Sequence, residues 1–148
     1  MKMNENFFIS KAIDPLPYES NWEAPSNIAL IKYWGKKNLQ IPKNPSLSFT
    51  LDKSVTRTSI RFEPSKSGKF NFKFFFNDSL KPDFDDKLHV FFDRIKKYVC
   101  WITNYELTIK SINTFPHSSG IASSASAMAA LSLAVSYTHL TLPTKLAV

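Results

Sequence analysis

One cysteine, three glycines and no long apolar run set the first limits on this 148-residue chain. A lone thiol, Cys100, excludes an internal disulfide, and its neighbours Val99 and Trp101 make neither a redox nor a metal motif. The position reads as a small buried hydrophobe. No stretch approaches the roughly 18 apolar residues that cross a bilayer, and the opening MKMNENFFIS lacks the apolar core of a signal peptide. A cytoplasmic protein with no membrane partner is expected. Internal repeats and low-complexity tracts are missing as well.

What is present in excess is positive charge, 19 Lys and Arg against 12 Asp and Glu, for a net +7. In FNFKFFFND, Phe70 to Asp78, aromatics interleave with Lys73 in the manner of a surface that stacks single-stranded nucleic acid. No basic block accompanies it, and the two signs mix along the chain, so a solvated surface whose field draws in anionic small molecules is the preferred reading. No nucleic-acid partner is expected.

Periodicity gives the elements. Met1–Asn21 is polar and proline-bearing and reads as an N-terminal extension. Trp22–Tyr33 is extended, and its run Asn27–Ile31, nearly all apolar, suits a strand buried on both faces. Lys37–Ser46 is a loop; Ser46–Leu51, Val55–Glu63 and Lys69–Asn77 are strands, with Ser65–Gly68 as a turn and Thr56, Thr58, Ile60 and Phe62 on one face. Asp83–Tyr98 is helical, since Leu88, Phe91, Phe92, Ile95 and Val99 recur at steps of three and four. Its acids, Asp85 and Asp86, come first, and its bases, Lys96 and Lys97, come last. Tyr105–Ile112 is a strand that Pro116 ends, and the small residues from Ala125 to Ala134 favour a second helix. The fold class is α+β.

The segment between that strand and helix, TFPHSSGIASSAS, is the chemical centre of the chain. A helix begins with N–H groups that lack intrahelical partners, and its dipole favours negative charge there. Ser118, Ser119, Ser123, Ser124 and Ser126 add hydroxyls around Gly120, which suits phosphate. The plainer alternative, a serine N-cap, accounts for one or two of the five. A Walker A loop is excluded, because no Gly-Lys-Ser/Thr follows Gly120. His117 reads as a spacer within the loop.

Two further blocks, APSNIALIKYWGKK (Ala24 to Lys37) and PKNPSLSFTL (Pro42 to Leu51), stand upstream. With FPHSSGIASSASAMAAL they resemble the diphosphomevalonate decarboxylase family of the GHMP kinase superfamily, in the family's order, from about Trp22 to Ala134. The serine loop points to the superfamily; Asn-Ile-Ala-Leu-Ile-Lys-Tyr-Trp-Gly-Lys singles out the decarboxylases. The resemblance implies a GHMP kinase N-terminal domain, mostly antiparallel sheet packed with helices, whose core is shared with a ribosomal protein domain. It implies transfer of the ATP γ-phosphoryl group to the 3-hydroxyl of mevalonate 5-diphosphate, then loss of phosphate and carbon dioxide to give isopentenyl diphosphate, with ATP and Mg²⁺ required.

Carried over residue by residue, the resemblance places Tyr33, Trp34, Gly35 and Lys36 in the substrate pocket, with Lys73 where relatives have an arginine. Ser119, Gly120, Ala122, Ser123, Ser124, Ala125 and Ser126 would meet the nucleotide phosphates. By residues alone, Tyr33 to Lys36 is equally a strand end with rim side chains, Lys32 is equally a partner for a buried carboxylate, and Ser46 and Ser48 are equally turn residues. Ala127 stands where relatives carry glycine, and a helical conformation is expected there.

Family members are about twice as long, so residues 22–135 are expected to be an incomplete N-terminal domain. The family's catalytic aspartate and second half lie beyond it, no catalytic residue is assignable here, and the full-length parent would be a homodimer. In SYTHLTLPTKLAV, residues 136–148, no residue matches the family, and this tail is expected to be non-native and the fragment inactive. A GHMP-type kinase acting on mevalonate or its phosphate without decarboxylation, and a non-catalytic binding module, are the alternatives.

Overall fold

The computed structural model describes residues 17–37, 41–116 and 119–136. The N-terminal extension up to residue 16, His117, Ser118 and residues 137–148 of the expected tail lie outside the described residues. In chain order the elements are β1 (Tyr18–Ile31), β2 (Lys36–Lys37), β3 (Ile41–Pro42), β4 (Leu47–Pro64), β5 (Asn71–Phe76), β6 (Ser79–Leu80), α1 (Asp85–Ile95), β7 (Tyr105–Asn113) and α2 (Ser123–Ser136). A five-stranded sheet has the order β1-β4-β7-β5-β6, antiparallel throughout except for the parallel β5–β7 pair. This is the α+β, mostly antiparallel architecture expected.

Alternation divides the sheet into two faces. Thr56, Thr58, Ile60 and Phe62 of β4, with Leu107, Ile109 and Ser111 of β7, are buried beneath the helices. Arg57, Arg61 and Lys110 stand on the other face in water. Under α1 the contact is aromatic: Phe92 lies 4.7 Å from Phe70 and 5.7 Å from Phe72, ring centre to ring centre. Under α2 it is built from small residues. Ser126, Ala130 and Ala134 recur every four positions, all buried, and face β1 and β4, where Ala24, Ser26, Thr56 and Thr58 are equally small and buried. Small groups on both surfaces let the helix settle close to the sheet.

Several boundaries differ from expectation. The first strand begins at Tyr18, which pairs with Phe62, so Tyr18–Asn21 belong to the sheet rather than to an extension. The two strands expected from Ser46 to Glu63 are one, β4, interrupted where Pro25 faces Val55 but Ser26 faces Leu51, leaving Asp52, Lys53 and Ser54 as a bulge. Thr114 fills that bulge: its hydroxyl donates to the Lys53 carbonyl (2.9 Å) and accepts from the Val55 N–H (2.9 Å). The expected strand Lys69–Asn77 is a hairpin with β6, turned by Asn77 and Asp78 at φ 49° and 59°, the left-handed pair that two-residue turns require. The helix expected over Asp83–Tyr98 is a 3₁₀ turn, Pro82–Phe84, followed by the shorter α1.

Two expectations are overturned. Ile28, Leu30 and Ile31 are 44%, 58% and 56% exposed rather than buried on both faces. Beyond Ser26, β1 pairs only with the start of β4, past the last β4–β7 pair at Thr56 and Asn113, and this two-stranded arm leaves the layered body. Cys100 is exposed, because the 3₁₀ turn Cys100–Asn104 sends Trp101 and Ile102 into the core instead.

The close helix–sheet approach has a measurable consequence. Ala134→Leu should destabilise the chain by about 1–3 kcal/mol or more through overpacking. Ala129→Leu, on the exposed side of α2, should leave the urea midpoint nearly unchanged. Equal effects of the two changes would refute tight packing under α2.

Candidate functional site

The serine loop leaves β7 at Asn113 and enters α2 at Ser123. Gly120 at φ 80° and Ala122 at φ 57° are both left-handed, so the backbone reverses twice in three residues. An alanine there costs on the order of 1 kcal/mol, and such strain persists only where surrounding contacts enforce it. Ala127, by contrast, lies inside α2, in the helical conformation expected of it.

The enforcing contacts are buried hydroxyls. Ser26 of β1, 1% exposed, donates its hydroxyl to the Ile121 carbonyl, one residue before the strained alanine. At the next position the Ala122 carbonyl accepts the N–H groups of Ala125 (2.9 Å) and Ser126 (3.2 Å), which starts the helix. The Ser126 hydroxyl lies 2.7 Å from the Thr56 hydroxyl and 3.0 Å from the Ser123 carbonyl, while Thr56 reaches Asn113 Oδ1 at 2.8 Å. Three contacts share two hydroxyl protons. Turning the Asn113 amide so that Nδ2 donates to Thr56 satisfies all three, in a chain from Asn113 through Thr56 and Ser126 to the Ser123 carbonyl.

This separates the loop residues that were expected to meet phosphate. Ser119, Gly120, Ser124 and Ala125 are exposed, and Ala122 and Ser123 are half-buried at the mouth. Ser126 is buried, and its hydroxyl points into the core, where it ties the helix to Thr56 of β4. The first turn of α2 carries no acidic side chain to oppose an anion.

Ser123 and Ser124 also form the edge of a cavity of about 110 Å³ between the sheet and the two helices. Its walls are apolar, from Phe74, Phe76, Phe84, Leu88, Ile109 and Leu131. Thr58, Ser111 and Asn113 supply polar groups at one side, and Lys87, its Nζ 5.6 Å from the Phe84 ring centre, lines it too. Sequence reading missed Lys87, Ser111 and Asn113. A cation in the first turn of α1 and polar residues interrupting the apolar face of β7 were the available signals. Among the described residues no cluster of three or more His, Cys, Asp or Glu could hold a metal ion.

Tyr33, Trp34, Gly35 and Lys36 follow the end of the exposed arm. Lys36 Nζ sits 5.9 Å from the Tyr33 ring centre, Trp34 is 82% exposed, and Gly35 takes φ 91°, a conformation that favours glycine. At about 3.3 Å per residue, the five steps from Ser26 to Ile31 set this loop roughly 17 Å or more along β1 from the serine loop. The serine loop and the Tyr33–Lys36 loop thus lie at opposite ends of the Ser26–Ile31 stretch. Lys73 joins neither end. It alternates with the core-facing Phe72 and Phe74, stands on the opposite face of the sheet, and pairs with Glu106 at 3.5 Å.

If Ser126 is a fastener, Ser126→Ala should cost about 1–3 kcal/mol by leaving a buried partner unsatisfied. Ser124→Ala, at an exposed position, should shift stability by less than about 0.5 kcal/mol. Thermal denaturation of the two variants checks this, and the reverse order would return the Ser126 hydroxyl to the ligand side.

A profile for the "Diphosphomevalonate decarboxylase-like N-terminal domain" matches residues 24–145. The diphosphomevalonate decarboxylase of Ganoderma lucidum is 37% identical over 142 residues, covering 81% of this chain and 34% of that protein. The crystal structure of mevalonate diphosphate decarboxylase from Staphylococcus aureus superposes with a TM-score of 0.69 at 35% identity, over 80% of this chain and 35% of that one. A related structure, MDDEF with MVAPP, AMPPCP and magnesium bound, gives a TM-score of 0.65 at 34% identity, over 78% of this chain and 35% of that one. The chain spans about a third of the length of these relatives. The profile match over most of the chain, together with these relatives, shows that the chain belongs to the diphosphomevalonate decarboxylase-like N-terminal domain family.

Proposed function

We propose that this chain supplies the nucleotide loop and the substrate cation of an ATP-dependent mevalonate 5-diphosphate decarboxylase, which makes isopentenyl diphosphate. The observation that carries the reading is the strained Gly120–Ala122 turn, which brings the first N–H groups of α2 and the Ser123 and Ser124 side chains to the edge of an apolar cavity. The helix N-terminus suits the triphosphate, and the flat aromatic walls beside it suit the base. Lys87 would add positive charge on the cavity side. The related structure that holds AMPPCP and magnesium supports ATP and Mg²⁺ as the ligands.

Among the described residues there is no acidic cluster, so Mg²⁺ would arrive with the nucleotide phosphates, and the Ser123 or Ser124 hydroxyl would be the loop oxygen available to it. When bound, the ion neutralises charge on the phosphates. The protein's own part is positional. Loop N–H groups hold one polyanion, Lys36 draws the diphosphate of the other, and Tyr33, Trp34 and Gly35 shape that second end. The separation of the two ends suits a substrate whose hydroxyl reaches toward the nucleotide while its diphosphate stays at Lys36. Lys73 and Ser126 are left out of this pocket. The carboxylate that orients the 3-hydroxyl would come from outside residues 22–135, with a homodimeric, cytoplasmic parent and no nucleic-acid partner.

On this reading the chain alone releases no carbon dioxide from mevalonate diphosphate and ATP, and release above a Lys36→Ala control would contradict it. Binding should split by ligand in calorimetric titrations of the chain. Lys36→Ala should weaken mevalonate diphosphate by about 10- to 100-fold, the loss of one charge-assisted contact, and ATP by less than about twofold. Ser124→Ala should do the opposite. Equal losses for both ligands in both variants would mean that the two ends are wrongly assigned.

A further inference from the structure

We propose that Asn44 is a positioning residue for the substrate-reading loop, holding Trp34 and Lys36 in place through the backbone. The proposal rests on the reading of Lys36 given above. The loop leaves an exposed arm, and Trp34, its largest side chain, is 82% exposed and cannot anchor it by burial. Its ties are polar. The Trp34 N–H donates to Asn44 Oδ1 at 2.7 Å, and Asn44 Nδ2 donates to the Lys32 carbonyl (3.3 Å) and the Pro45 carbonyl (2.8 Å). Beside them the Lys43 N–H donates to the Gly35 carbonyl at 3.1 Å.

One side chain thus grips the loop on both sides of Tyr33, from a half-buried position. A primary amide can do this, since its oxygen accepts while its nitrogen carries two donors. Asn44 is also held ready. Pro45 follows it, and a residue before proline is confined to extended conformations, so little freedom is lost when the amide engages. None of its bonds reaches the core. What Asn44 fixes is the path from Lys32 through the left-handed Gly35 to Lys36, and therefore where the ammonium group points.

The test compares Asn44→Ala and Asn44→Asp with Lys36→Ala in the chain as it stands, with mevalonate diphosphate and ATP as separate probes. Amide hydrogen exchange is followed at Trp34. Asn44→Ala should raise the dissociation constant for mevalonate diphosphate about tenfold, leave that for ATP within about twofold, and speed exchange at Trp34. Asn44→Asp keeps the acceptor and loses both donors, so Trp34 should stay protected while mevalonate diphosphate still weakens. A merely structural role would move both ligands together, or the melting temperature and neither ligand. If Lys36→Ala weakens mevalonate diphosphate and Asn44→Ala does not, this proposal is overturned and the reading of Lys36 stands. If the unaltered chain does not bind mevalonate diphosphate, or Lys36→Ala leaves binding unchanged, the reading beneath it fails and the proposal with it.

Discussion

The hydroxyl of Ser26 on the carbonyl of Ile121 joins the first strand to the serine loop, and much of the candidate site depends on that junction. It sits at the register shift in β1, opposite the bulge of Asp52–Ser54, where the sheet stops being a layer beneath α2 and becomes a free arm. On one side of the junction, Thr56, Ser126 and Asn113 fasten the helix so that a left-handed alanine is tolerated at its entrance. On the other, the strand continues toward Tyr33 and Lys36. Small buried hydroxyls suit this task better than apolar groups, because they set direction as well as distance.

The two halves of the core follow different rules for the same reason. Beneath α1 large rings fill the space, with Phe70, Phe72, Phe74 and Phe92 in mutual contact or against Phe84, and nothing there has to be placed to a fraction of an ångström. Beneath α2 alanines and hydroxyls bring helix and sheet together, and the loop is delivered to a defined height above β4. The cavity opens where these two styles meet, aromatic on one wall and hydroxyl-lined on the other.

Much of this was legible in the residues. The alternation of Thr56, Thr58, Ile60 and Phe62 reports a face that is buried throughout, and the period of Leu88 and Phe92 finds the inner side of α1. Glycine and serine before an alanine-rich run locate the loop. What escaped was long-range. Nothing local says that Ser126 turns inward while Ser124 turns out, since that depends on Thr56 lying 70 residues upstream. The apolar run Ile28–Ile31 suggests burial, because composition reports what a strand tolerates and not whether a layer reaches it. Lys73 shows the same limit: it was placed roughly where relatives carry an arginine, and the pleat sets it on the other face, beside Glu106. The strained residue is Ala122 rather than Ala127, which only the path of the loop reveals.

On the proposed reading, the left-handed turn and the first N–H groups of α2 hold nucleotide phosphate. Titrating the ¹⁵N-labelled chain with AMPPCP and Mg²⁺ tests it most directly. Amide shifts should concentrate at Gly120, Ile121, Ala122, Ser123, Ser124 and Ala125, with smaller changes at Lys87 and Asn113 on the cavity wall. Shifts centred instead on Lys73, Lys110 and Arg57, across the sheet, would contradict the account.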